Sequence, residues 1–395
     1  MKRFVLSLAA LALSTALAVA QQPGPPRPPG NGQNRFVQME QKALAEAFVG
    51  ITADGKIDPD LFKITPSGVS TQPVQSATLA FLDSLSESDR AKTTFPIGDD
   101  EWRKWANQHS YPRQGMSFAA MSEAQRKLAF AMIGAGLSAK GLKTTRDIMK
   151  LNHTIGEMSG RLGEEGYGQW AYYLTVMGEP SDTEPWGWQF DGHHCVINYF
   201  VLGDQVVMTP HFLGSEPVRA ESGKFEGTVV LQDEQNAGLA FALSLTAAQR
   251  EKAVIQKDKD GTNLQTDAFH DNEIIPYAGI AYGDLNPEQQ KGLVSLIEHW
   301  ITHMAEGHAR VKMEEVKAQL DRTRFAWIGD MQADSVFYYR IHSPVVMIEF
   351  DHQRPIALGR GSAATRQHIH ATIRTPNGND YGKDLLRQHL LDHPH

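Results

Sequence analysis

Two stretches of this chain spell the same pattern. Gly178 to Asn198 and Gly329 to Glu349 stay in register at a spacing of 151, which pairs Gly178 with Gly329, Gln189 with Arg340 and Asn198 with Glu349. A second match, Pro112-x-x-Gly115-x-x-Phe118-x-x-Met121-Ser122-x-x-Gln125 against Pro276-x-x-Gly279-x-x-Tyr282-x-x-Leu285-Asn286-x-x-Gln289, holds at a spacing of 164. Self-similarity at one long period predicts two supersecondary units packed on each other rather than a solenoid, which needs more copies. Each unit reads as two helical segments, a long helix (near Arg126 to Met158 and Lys291 to Leu320), then strands. The expected product is a single domain over 36–395, made of repeats at about 76–217 and 236–376 related by pseudo-twofold symmetry.

Four helix starts share one chemistry: Leu85-Ser86-x-x-Asp89, Met121-Ser122-x-x-Gln125, Leu245-Thr246-x-x-Gln249 and Leu285-Asn286-Pro287-x-Gln289. A hydroxyl or amide caps the first free N–H groups, the residue three on reaches back, and the apolar residue before the cap staples the entry. A further amphipathic helix is expected from Phe36 to Gly50. Period-two and β-rich runs predict strands at Trp170 to Met177, Trp186 to Phe190, Cys195 to Leu202, Val206 to Thr209, Phe325 to Gly329, Phe337 to Ile341, Val345 to Phe350 and His368 to Arg374. The sum is an α+β fold with helices segregated from antiparallel sheet.

The first twenty residues read differently. Lys2 and Arg3 precede an apolar run from Phe4 to Ala18 and the small-residue triplet Ala18-Val19-Ala20, the layout of a secretory signal over 1–20. That run is too short to anchor the chain across a bilayer, and no later stretch is apolar enough to do so. A Pro/Gly-rich tether follows over 21–35. An exported protein, periplasmic or extracellular and without a membrane span after cleavage, is therefore expected. Losing two basic residues takes the formal net charge from -8 to -10, which argues against nucleic acid as a partner. The single cysteine, Cys195, permits no internal disulfide, so stability falls to the core or to a bound metal.

Histidines and carboxylates crowd together only in the strand regions. Alternation puts His194, Val196 and Asn198 on one face of their strand, Glu349 and Asp351 on one face of another, and His368 with His370 on one face of a third. If the two halves converge, His193, His194, His368, His370, Glu349 and Asp351 form a ligand set for a divalent transition metal such as zinc, iron, copper or nickel. His211 and His352 lie nearby in sequence. The competing reading makes these histidines ordinary hydrogen-bonded residues of a buried sheet. Glu349 or Asp351 would serve as base, and Arg340 or Arg374 would steer an anionic group. Arg354, Arg360 and Arg366 decorate the loop from Gln353 to Gln367, which reads either as a lid over an anionic substrate or as a solvated surface loop.

Other signals are weaker. His299 and His303 sit one helical turn apart without the intervening glutamate of a metalloprotease helix. Cys195 alternates away from His194 and reads as a small buried apolar residue. The Asp54-Gly55-Lys56 and Asp258-Lys259-Asp260 stretches lack a full calcium-loop rhythm and read as turns. His389, His393 and His395 could bind metal loosely at the tail. Nucleophile-elbow, phosphate-loop and dinucleotide fingerprints are missing, which weakens hydrolase readings based on serine and all nucleotide-driven ones.

Trp186-Gly187-Trp188-Gln189, Gly192-His193-His194-x-x-x-Asn198, Tyr339-Arg340-Ile341, Glu349-Phe350-Asp351 and His368-Ile369-His370 together resemble the bacterial family known as domain of unknown function 3500. The likeness runs from about Phe36 to His389 and includes Asp380-Tyr381-Gly382-Lys383-Asp384. It implies export and no particular activity, and it makes His211 and His352 weaker site candidates. The residues themselves lead to a metal-dependent hydrolase acting on a small anionic substrate, with a non-catalytic metal-handling or ligand-binding protein as the alternative.

Overall fold

The computed structural model describes residues 31–163 and 166–393. The expected signal segment and residues 21–30 of the tether lie outside the described residues. Helix α1 (Asn31–Leu44) starts five residues before Phe36 and stops short of Gly50. Helices α2 (Gln72–Asp83), α3 (Glu87–Thr93), α4 (Glu123–Gly136), α5 (Ala139–Ser159), α6 (Gln232–Ser244), α7 (Ala247–Ala253), α8 (Pro287–Ile301), α9 (Glu306–Lys317) and α10 (Lys383–Asp392) follow.

All four helix caps form. Ser86, Ser122, Thr246 and Asn286 accept the N–H of Asp89, Gln125, Gln249 and Gln289, and in the last three the glutamine returns to the cap backbone. The same glutamines reach further: Gln125 Nε2 donates to Ser84 O at 3.0 Å and Gln289 Nε2 to Ser244 O at 2.9 Å, clamping the ends of α2 and α6.

Each long helix expected from periodicity is two helices. The first breaks at Leu137-Ser138 between α4 and α5, the second at Thr302–Ala305 between α8 and α9. The breaks satisfy one another, with Ser138 N–H donating to His303 O and Ala305 N–H to Gly136 O, both at 3.0 Å. Helix termini leave unpaired backbone groups, and here the partners are a second break far away in sequence, invisible to a local pattern.

Among the described residues thirteen strands join one sheet: β1 (Thr94–Phe95), β2 (Met116–Ser117), β3 (Tyr172–Met177), β4 (Trp186–Gly192), β5 (Cys195–Leu202), β6 (Gln205–Val207), β7 (His211–Ser215), β8 (Val254–Gln256), β9 (Ile280–Ala281), β10 (Arg324–Ile328), β11 (Tyr338–His342), β12 (Met347–His352) and β13 (Ile369–Arg374). Its order is β1-β3-β4-β5-β7-β13-β12-β11-β10-β8. The sheet is mixed, because the short edge strands β1 and β8 run parallel to β3 and β10. Every expected strand is present with ends shifted by a few residues. The short strands β1, β2, β8 and β9 are unexpected, as is β7, which joins β5 to β13 at the centre.

Directly opposed residues share a face. One face carries Trp188, Ile197, Tyr199, Leu213, Ala371, Ile348, Phe350 and Tyr339, all buried with the helices. Burying a large side chain of this kind contributes about 1.5–3 kcal/mol. The opposite face is polar and, but for the half-buried His370, equally buried: Gln189 against Asn198, then Thr372 against Glu349 against Arg340, and His370 against Asp351. Irregular backbone covers it. Gln189 Nε2 donates to Trp102 O at 3.0 Å, Asp351 accepts from Asn263 N at 2.8 Å, and Arg340 donates to Gln265 Oε1 at 2.8 Å.

Candidate metal centre

His193 and His194 are the two residues between the last rung of β4 and the first of β5, where Gly192 opposes Cys195. His194 therefore sits on a hairpin turn rather than in a strand, with φ at +65°, in the left-handed region. A non-glycine residue held there costs on the order of 1–2 kcal/mol and persists only where its surroundings impose it. Its N–H donates to Asn107 O at 3.2 Å and its carbonyl accepts Gly214 N–H at 2.8 Å, so the turn is pinned from both sides.

The pinned turn throws the His194 ring over the start of β13. His194 Nε2 lies 3.3 Å from His368 Nε2, and His368 Nε2 lies 3.0 Å from His370 Nε2. The three ligand atoms all fall within 4.8 Å of one another. Metal–imidazole bonds of about 2.0–2.1 Å in a tetrahedral arrangement place nitrogens about 3.3 Å apart, so this spacing suits one ion. Among the described residues no other group of three or more His, Cys, Asp or Glu converges this way. Gly214, opposite His370, makes the fit possible: a Cβ there would meet His370 Cδ2 at 3.0 Å and Ile369 O at 2.8 Å.

Neutral imidazole binds metal. Burial holds His194, His368 and His370 below the usual histidine range, and the Glu216 carboxylate partly opposes this at His368. His368 Nδ1 lies 2.7 Å from Arg354 O, an acceptor that requires a hydrogen on Nδ1 and so leaves the Nε2 lone pair facing the other two rings. His194 and His368 are buried, whereas His370 is partly exposed.

Of the other residues expected at this site, His193 is adjacent but turned away. Its ring stacks on His194 with centroids 3.8 Å apart, while Nδ1 meets Asn152 Oδ1 at 2.7 Å. Glu349 and Asp351 are not part of the converging group. Asp351 pairs with Lys259 Nζ at 2.8 Å and also accepts from Leu264 N and Gln353 Nε2. Glu349 accepts from Tyr338 Oη at 2.6 Å, from Gln265 N at 3.1 Å and from the Thr266 hydroxyl. The arginines stand apart as well. Arg340 is bound to Gln265 and to Pro276 O, and Arg374 bonds Asp380 and Asp271, each at 2.7 Å. These four side chains hold covering backbone to the polar face, a partnership between distant segments that strand alternation does not reveal.

His211 and His352 are buried elsewhere. His352 sits between Phe337 N and Gln235 Oε1, and the His211 ring packs near His303. His303 Nδ1 faces Trp300 O at 3.0 Å and its Nε2 faces Glu234, itself paired with Lys140 at 2.7 Å. Cys195 is buried, and burial raises its thiol above the usual range. His389 lies 3.3 Å from Glu184, and His395 is outside the described residues. The Gln353–Gln367 loop is tied down at several points, including Arg366 Nη1 to Ser335 O at 2.8 Å. Sequence reasoning missed Glu216, Asn152 and Gly214. Their only signal is position relative to β13 and the turn, which exists once β7 is known to lie beside β13.

Among the described residues nine histidines, the buried His193, His194, His211, His303, His308, His342, His352 and His368 and the half-buried His370, are shifted down, chiefly by burial. His342 and His352 fall to about 3 and His303 to about 4. Between those values and about 6.5 the unfolded chain binds protons that the native state refuses, so stability must fall as pH falls through that window. Glu101, raised to about 8 by burial, Asp191, Asp267 and Asp351, raised to about 6, and Asp380, also raised, act oppositely as pH falls but are outnumbered. The urea midpoint of the metal-free protein is expected to drop steadily from pH 7 to pH 5. A midpoint that holds constant or rises would contradict this burial pattern.

The family described as "Protein of unknown function (DUF3500)" matches residues 67–383. That span is well over half of the chain, and the chain belongs to this family. No curated protein and no solved structure matches it.

Proposed function

We propose that this chain is an exported metalloprotein in which His194, His368 and His370 hold one divalent transition ion of the zinc, iron, copper or nickel type, used to hydrolyse a small anionic substrate. The observation that carries the reading is the convergence of three imidazole nitrogens at 3.0 and 3.3 Å, with one ring already oriented by a backbone carbonyl. Three imidazoles without a carboxylate leave room for water or substrate in a catalytic site. An ion bound there would supply an acidified water at neutral pH. Glu349 and Asp351 are occupied with loop amides and Lys259, so no side-chain base is assigned to them. The arginines available to an anion are Arg354 and Arg360, exposed on the loop whose carbonyl orients His368.

One observation favours the alternative of metal handling without turnover: the nearby buried carboxylates are all engaged by other groups. Export rests on the pattern of residues 1–20, and no helix among the described residues is long and apolar enough to cross a membrane. The mirrored strand order on either side of the β7–β13 pair, and the paired breaks at Ser138 and His303, support an ancient doubling of the scaffold.

The test is elemental analysis of protein purified without an affinity tag, beside a His368→Ala, His370→Ala variant. About one ion per chain, lost in the variant, is expected. Equal trace metal in both would sink the reading. Turnover of small ester and phosphoester probes by the loaded wild type, absent in the variant, would separate the enzyme from the handling protein.

A further inference from the structure

We infer that Glu216 is the counter-charge and positioning residue of the metal centre, tying the charge of a bound ion to the backbone of the loop at 354–358. The inference rests on the metal reading above and deepens it. Glu216 follows the last residue of β7, whose Ser215 opposes Ile369 in β13, so the sheet itself sets this carboxylate beside His368. Its Oε2 lies 3.8 Å from His368 Nδ1. Its two oxygens also accept three consecutive backbone N–H groups, Ile356 and Leu358 onto Oε1 at 3.0 and 3.1 Å and Ala357 onto Oε2 at 3.0 Å.

Glu216 is only 3% exposed, and among the described residues it has, like Glu349 with its uncharged donors, no lysine or arginine partner, whereas other buried carboxylates do. Asp191 pairs with Arg113, Asp351 with Lys259 and Glu234 with Lys140. Among the described residues the one ion-pair partner of Glu216 is His368, whose Nδ1 also faces the Arg354 carbonyl. A buried carboxylate without a lysine or arginine beside it is costly unless another cation stands near. Three neutral imidazoles around a divalent ion have the converse deficit, a positive charge with no anion among its ligands. His368 bridges the two, with Nε2 toward the ion and Nδ1 toward Arg354 O and Glu216.

Two consequences follow in the same geometry. Removing the charge weakens metal binding, since loss of an outer partner of a ligating histidine typically costs 10–100-fold in affinity. The loop also responds to metal, because the carboxylate that balances the ion is the acceptor for the amides of Ile356, Ala357 and Leu358.

The experiment measures zinc affinity by chelator competition for wild type, Glu216→Gln and Glu216→Asp, with hydrogen exchange of residues 355–359 in the metal-free and zinc-loaded states. Glu216→Gln keeps the size and an acceptor oxygen and is expected to bind zinc 10–100-fold more weakly. Glu216→Asp, which keeps the charge, is expected to recover most of that loss. Zinc is expected to slow exchange at Ile356–Leu358 at least tenfold in wild type and much less in Glu216→Gln. A wild type that binds no zinc overturns the metal reading itself. Wild type and Glu216→Gln binding equally overturn the role of Glu216 alone. Should Glu216→Gln fail to fold, the wild-type exchange decides: no zinc-dependent protection of the loop rejects the coupling.

Discussion

Zinc added to the metal-free protein is expected to raise its melting temperature by several degrees, and the His368→Ala protein is expected not to respond. A ligand that binds only the native state stabilises it by RT ln(1 + [L]/Kd), about 4 kcal/mol when free ligand is a thousandfold above Kd. The native sheet brings His368 within 3.0 and 3.3 Å of rings that sit at His370 and, 174 residues away, at His194. An unfolded chain does not hold that constellation, so the stabilisation belongs to the folded state. Removing the ring in the middle of the cluster takes away the nitrogen that both others approach. Equal responses from the two proteins, measured by differential scanning calorimetry, would assign the effect to adventitious sites such as His389 and His393 near the C-terminus and would end the case for the triad.

Asp271→Asn is expected to destabilise the fold by about 3–5 kcal/mol, the range for breaking one partner out of a buried ion pair. Asp271 receives Arg374 Nη2 at 2.7 Å and Arg103 Nε at 2.9 Å, with side chains no more than 4% exposed, and accepts the Tyr381 hydroxyl at 2.9 Å. Arg374 retains Asp380, but Arg103 is left with the carbonyls of Ala43 and Glu46 and no carboxylate. The penalty is the desolvated guanidinium rather than the lost bond. The surface pair Arg387–Asp384, 62% exposed at the arginine, is the control, and Asp384→Asn is expected to cost less than about 1 kcal/mol. Urea unfolding of both variants checks the pair. A loss at Asp271 as small as at Asp384 would mean that the network over the polar face is dispensable.

Local chemistry was legible wherever a residue and its partner lie a few positions apart. Ser122 with Gln125 and Asn286 with Gln289 form the reciprocal caps their spacing predicts. His368 and His370 share a face because one residue separates them in an extended strand, and His194 joins them as expected. The choice between His193 and His194 was not legible. It depends on the left-handed backbone at His194 and on Asn152, which claims the His193 ring.

Where the decisive partner comes from a distant segment, residue type did not reveal it. Glu349, Asp351, Arg340 and Arg374 have the chemistry of an active site and the positions of one in the strand pattern. Yet the stretch from Lys259 to Pro276 folds over that face and takes all four. The reverse holds for Glu216, which carries no motif and gains its place only because β7 inserts between β5 and β13.

The order of amino acids by itself settled the capped helix starts, most strands, the α+β class and the His368–His370 pair, because each depends on turn geometry or on periodicity within one element. Tertiary structure alone decided which charged groups are free for chemistry and which hold backbone in place. A buried charge must be met by whatever the fold brings beside it, and that neighbour cannot be read from the charge's own stretch of chain.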